Sequence, residues 1–89
     1  MVRPRKLQLP NDERTSKLAA LAQAVRSRRE TLGLRQDELA ALAGCSTSFV
    51  SFVERAKPTI QVGKLLDVLA VLGLDLSVVP GTGRIAHDD

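Results

Sequence analysis

From Leu18 to Leu72 the apolar residues recur at spacings of three, four and seven, and Gly33, Gly44 and Pro58 cut that run into segments of helical length. Such punctuation leaves little room for any architecture other than short amphipathic helices packed on one another. The only aromatic residues are Phe49 and Phe52, so a core must come from Leu, Val, Ile and Ala, a palette suited to helix packing. With 89 residues, the chain has room for one domain and short tails.

In the first segment Thr15 or Ser16 can cap a helix whose inner stripe is Leu18, Leu21, Ala22, Val25 and Leu32, with Arg26, Arg28 and Arg29 mostly off it. Gly33 ends it. A second helix is expected from about Arg35 to Ala43. Asp37 and Glu38 lie in its first turn, where the helix dipole favours negative charge, and Leu39, Ala40 and Ala43 face inward. Gly44 breaks the pattern, and Ser46 is placed to cap a third helix over roughly Thr47 to Arg55 with Val50 and Val53 inward. Only one of Phe49 and Phe52 can easily join them.

Pro58 stops the third helix and Thr59 offers the next cap. The fourth helix, residues 60–72, carries Val62, Leu65, Leu66, Val68, Leu69, Val71 and Leu72 on more than one face, which calls for apolar partners on two sides. A second copy of the chain is the natural one, with Leu69 and Leu72 at the contact. After Gly73 the period changes to two, with Leu74, Leu76 and Val78 alternating with Asp75, Ser77 and Val79 until Pro80. A lone strand cannot satisfy its backbone, so residues 74–80 must pair with residues 7–9 or with their own copy across a two-fold axis. The chain thus divides into a basic arm (1–14), a helical domain (15–73), a dimerisation strand (74–80, with Leu74, Leu76 and Val78 at the contact) and a flexible tail (81–89).

Charge is unevenly placed. Residues 1–35 hold nine Lys/Arg against three acids, net +6, whereas residues 36–89 are net −3. A basic front half points to an anionic partner, nucleic acid being the commonest. Cys45 is the single cysteine, which gives no disulfide framework, and with the single His87 it makes a poor metal site; Cys45 reads as a small core residue and His87 as a solvated tail residue. The start, Arg3, Arg5 and Lys6, has no apolar stretch behind it, and no run is long enough to cross a bilayer; a cytoplasmic protein is expected. Glu54 reads as the partner of a nearby Arg rather than an acid catalyst, because no second carboxylate or nucleophile stands at a matching position. Residues 81–84 resemble a phosphate loop too faintly to count. No catalytic residue, metal site or cofactor is expected, and the chain is not expected to be an enzyme.

Two helices joined by a short turn containing glycine define a helix-turn-helix, whose second helix enters the DNA major groove. Gly44, Cys45 and Ser46 form that turn. The run from Arg35 through Ser46, followed by Val50, Ser51, Phe52, Val53, Glu54 and Arg55, resembles the Xre/Cro family of phage-repressor-type domains over about residues 17–72. Lys57, Pro58, Thr59, Ile60, the Leu-rich fourth helix and the strand further resemble HipB-like antitoxins of toxin–antitoxin systems. The resemblance implies a mainly α fold: a four-to-five-helix phage-repressor-like domain with a C-terminal strand pairing across a homodimer.

By position, Gln36 matches the glutamine that bonds a backbone phosphate, and Ser46, Thr47, Ser48 and Phe52 match outward positions of the recognition helix. Ser51 joins these DNA-binding candidates. Serine and threonine hydroxyls reach bases or phosphates, and Phe52 can pack on a thymine methyl or against a protein partner. With no Arg, Lys, Asn or Gln at the central positions, part of any specificity falls to DNA shape. Arg55 and Lys57 suit phosphates; Arg28, Arg29, Arg3, Arg5 and Lys6 are more distant candidates. Two positions depart from the family: Arg35 replaces the usual Thr or Ser cap and Ala56 the usual glycine.

The expected function is a sequence-specific, homodimeric repressor on a palindromic operator of double-stranded DNA, acting as the autoregulating antitoxin of a toxin–antitoxin operon with a HipA-like kinase as partner. A solitary Xre-family regulator is the alternative, as is an interaction module that neutralises a partner without specific DNA binding.

Overall fold

The computed structural model describes residues 11–81, with side chains from Glu13 onward. Four helices follow one another: α1 (Asn11–Thr31), α2 (Gln36–Ala43), α3 (Thr47–Glu54) and α4 (Val62–Leu72). Their order matches the punctuation of the sequence, and two starts differ from expectation. α1 begins at Asn11, so residues 11–14 belong to the helix and not to the arm. Apolar periodicity is silent over that turn; the Glu13–Lys17 pair, at 3.8 Å one turn apart, supports the extension. α4 starts after Gln61, whose side chain makes no capping bond, rather than after Thr59, and Ile60 packs on the core from the connecting segment.

All four helices feed one core. Val25 comes from α1, Leu39 and Ala40 from α2, Phe49, Val50 and Val53 from α3, and Leu65, Val68, Leu69 and Leu72 from α4. No polar or charged residue is buried among the described residues. Each buried Val, Leu or Phe among these stabilises the fold by roughly 1.5–3 kcal/mol on leaving water. α2 and α1 each pack against both α3 and α4, which braces α3 from two sides.

Three apolar assignments are corrected by this packing. Leu32 is 45% exposed, because α1 stops at Thr31 and the turn around Gly33 hands its place on the core to Leu34. Leu69 and Leu72, expected at a subunit contact, are 3% and 0% exposed inside the chain's own core. The apolar side chains that α4 does present outward are Val62 and Leu66.

No strand is present among the described residues. Leu74 closes the end of α4, its N–H donating to the Leu69 carbonyl at 2.8 Å while its side chain rests on the core. Leu76, Val78 and Val79 are exposed. A strand needs a neighbour to bond to, and the described part of one chain supplies none. The arm residues 1–10, with Arg3, Arg5 and Lys6, and the tail residues 82–89 lie outside the described residues. Among those described, no helix is long and apolar enough to cross a membrane, and no cluster of His, Cys, Asp and Glu could hold a metal ion.

Candidate nucleic-acid interface

The turn between α2 and α3 is made by three residues with distinct tasks. Gly44 adopts φ +70°, a left-handed conformation that costs an L side chain energy, and so lets the chain double back. Its N–H donates to Ala41 and that of Cys45 to Ala40, closing α2. Cys45 is half-buried against the core; burial pushes its thiol pKa up, which disfavours the reactive thiolate. Ser46 Oγ accepts the Phe49 N–H at 3.1 Å and caps α3.

The cap fixes where α3 starts, and its apolar stripe fixes which side faces in. Phe49, Val50 and Val53 are buried, while Ser46, Thr47 and Ser48 are exposed and Ser51 and Phe52 half-buried. The choice between the two phenylalanines is thus settled by Phe49 turning inward. Where the chain leaves α3, Lys57 Nζ lies 4.0 Å and Arg55 Cζ 5.3 Å from the Phe52 ring centroid. These three residues line a shallow concavity together with Ala56 and Pro58. Neither cation is paired with a carboxylate among the described residues, unlike Lys17, Arg26, Arg29 and Arg35.

Gln36 and Glu54 meet at the same end of α3. Arg29 donates from Nε and Nη2 to the two Glu54 carboxylate oxygens at 2.7 and 2.9 Å, and from Nη1 to the Leu34 carbonyl at 2.9 Å. Gln36 Nε2 donates to Glu54 Oε1 at 3.1 Å. Burial pushes the Glu54 pKa up, but the bonds from Arg29 and Gln36 and the guanidinium charge outweigh it, and the carboxyl sits below its ordinary value. Arg29 is raised, chiefly by its bond to Glu54. Three helices are pinned at one point: α1 through Arg29, α2 through Gln36 and α3 through Glu54.

Arg29 is therefore not a phosphate candidate, because its guanidinium is spent on internal acceptors and is largely shielded from solvent. Arg28 donates to the Leu72 carbonyl at 2.8 Å and ties α1 to the end of α4. The expected partnership of Glu54 with an Arg holds. Its bond to Gln36 was not foreseen, since no spacing rule connects residues 18 apart across two helices.

Comparison with known proteins agrees with this geometry. A family model described as a helix-turn-helix domain matches residues 20–80. The chain belongs to this helix-turn-helix family. Over 67 residues it is 43% identical to a Sinorhizobium fredii protein named as uncharacterized HTH-type transcriptional regulator y4mF, covering 74% of this chain and 88% of the relative. It is 36% identical over 61 residues to an uncharacterized HTH-type transcriptional regulator of Haemophilus influenzae, covering 68% of this chain and 62% of that protein.

Within this helix-turn-helix the two unusual positions are accommodated differently. A guanidinium cannot accept a hydrogen bond, so Arg35 leaves the start of α2 uncapped by its side chain. The reciprocal half of a capping box is present: Glu38 Oε1 accepts the Arg35 N–H at 2.8 Å. Ala56 stands at φ +59°, where the family's glycine would be unstrained.

Proposed function

We propose that this chain is a DNA-binding transcription regulator that lays α3 in the major groove and acts as a homodimeric repressor on a palindromic operator. One observation carries the reading: α3 is buried along Phe49, Val50 and Val53, while its opposite side offers Ser46, Thr47, Ser48 and Ser51 and leads to two carboxylate-free cations. Hydroxyls suit base edges and phosphates, and cations suit phosphates. Gln36, at the first turn of α2, has an amide N–H and Oε1 beyond the bond to Glu54, and serves a backbone phosphate. The names of the two relatives support the regulatory role.

Dimerisation is supported by the exposed Leu76, Val78 and Val79, beside which no backbone bond joins residues 75–81 to another described segment. Pairing these residues across a two-fold axis satisfies both the backbone and the apolar side chains. A two-fold dimer reading successive major grooves requires its recognition helices to stand about 34 Å apart. The finer reading is an autoregulating antitoxin acting on a HipA-like kinase; it rests on the resemblance around residues 57–79.

A mobility-shift titration against DNA from upstream of its own gene, with scrambled DNA as competitor, tests the proposal. Specific two-step shifts are expected. Equal competition by scrambled DNA overturns sequence-specific repression, and absence of any shift at low salt favours an interaction module. Co-purification of a kinase encoded beside this gene tests the antitoxin role, and its failure leaves a solitary regulator.

A further inference from the structure

The concavity at the exit of α3 joins an aromatic ring to two cations. Lys57 Nζ and Arg55 Cζ both lie within cation–π range of Phe52, at 4.0 and 5.3 Å. Like charges two residues apart repel, and no described carboxylate offsets them; the negative face of the ring does. Phe52 is therefore occupied before any ligand arrives. A ring with an ammonium standing over it is poorly placed to pack on a thymine methyl, which is the role its position suggests from sequence.

We propose that Phe52 is a positioning residue: its ring holds Lys57 and Arg55 as a paired clamp for the sugar-phosphate backbone of duplex DNA and does not read a base. The inference rests on the DNA-binding reading and deepens it. Holding two long, rotamer-rich side chains in place before binding removes part of the ordering cost that association would otherwise meet. Ala56 and Pro58 complete the platform. Proline fixes the backbone beyond Lys57, and the left-handed Ala56 turns the chain so that Lys57 returns over the ring.

Fluorescence anisotropy with two unrelated duplexes and the upstream duplex, each titrated over a range of KCl, tests this with Phe52→Leu, Phe52→Tyr and Lys57→Gln. Phe52→Leu is expected to weaken binding to all three duplexes alike, by roughly three- to tenfold. Phe52→Tyr, which keeps the ring, retains the affinity. Lys57→Gln lowers the salt slope by about 1, and adding Phe52→Leu to it costs much less than Phe52→Leu alone. In the free protein, the Lys57 ε-methylene protons are expected upfield from the ring current and return to ordinary shifts in Phe52→Leu, an observation that needs no DNA. A change of preference among duplexes with an unchanged salt slope overturns the proposal and makes Phe52 a base reader. Unchanged affinity in a folded Phe52→Leu variant also overturns it. If wild type binds none of the duplexes at low salt, the DNA-binding reading itself fails, while the proton shifts still report whether the ring holds the lysine.

Discussion

Ala56 is the one non-glycine residue with positive φ among those described. A left-handed L-residue costs about 1–2 kcal/mol, and the greater unfolded-state freedom of glycine offsets part of any gain. Ala56→Gly should thus stabilise the protein by about 0.5–1 kcal/mol and raise Tm by about 3–6 °C, read from a thermal melt by far-UV circular dichroism. Glu54 has the opposite leverage. Glu54→Gln leaves the largely shielded Arg29 guanidinium without its counter-charge and should cost about 3 kcal/mol, the lower end of the range for enclosed pairs. Because the folded Glu54 carboxyl titrates below its unfolded value, its contribution is complete above the unfolded pKa and disappears as pH falls through the folded one. Urea midpoints measured from about pH 6 down to about pH 3 should therefore fall more steeply in wild type than in Glu54→Gln.

At the scale of elements, what was legible in the sequence was local. Gly44 and Ser46 announce the end of α2 and the start of α3 because the turn and the cap are each decided within a few residues. Pro58 separates α3 from α4 for the same reason. The start of α1 is not legible, since residues 11–17 carry no apolar stripe and Asn11, Asp12, Thr15 and Ser16 are poor helix formers. Nor is the Arg29–Glu54–Gln36 junction, which exists only after three helices have packed. Leu69 and Leu72 read as interface residues in the sequence yet lie inward, because an apolar helix looks alike whether its second partner is another chain or its own neighbours. Arg35 gives the element-scale test: Arg35→Ser supplies the missing side-chain acceptor and should add about 1 kcal/mol. The urea midpoint should rise with an unchanged denaturant slope. The ion pairs lost, Arg35 to Asp37 and Glu38 at 3.3 and 3.5 Å, are exposed and worth little.

For the molecule as a whole, the question is what covers the apolar segment after α4. Val78 is 96% exposed, so it contributes little to the packing of one chain, and the proposed dimer is what would cover it. If the proposed dimer forms, Val78→Lys is expected to leave the far-UV spectrum unchanged while converting it into a monomer and weakening operator binding, since each half-site alone keeps only its own contacts. A monomeric wild type in sedimentation velocity at micromolar concentration would overturn the paired-strand arrangement.

The junction of Arg29, Gln36 and Glu54 carries a consequence for descent. Altering Arg29 or Glu54 leaves a shielded charge without its partner, whereas altering Gln36 removes one bond and leaves the ion pair in place. In a deep set of related sequences positions 29 and 54 should vary jointly, as one inherited unit, even where the outward face of α3 diverges to suit different operators.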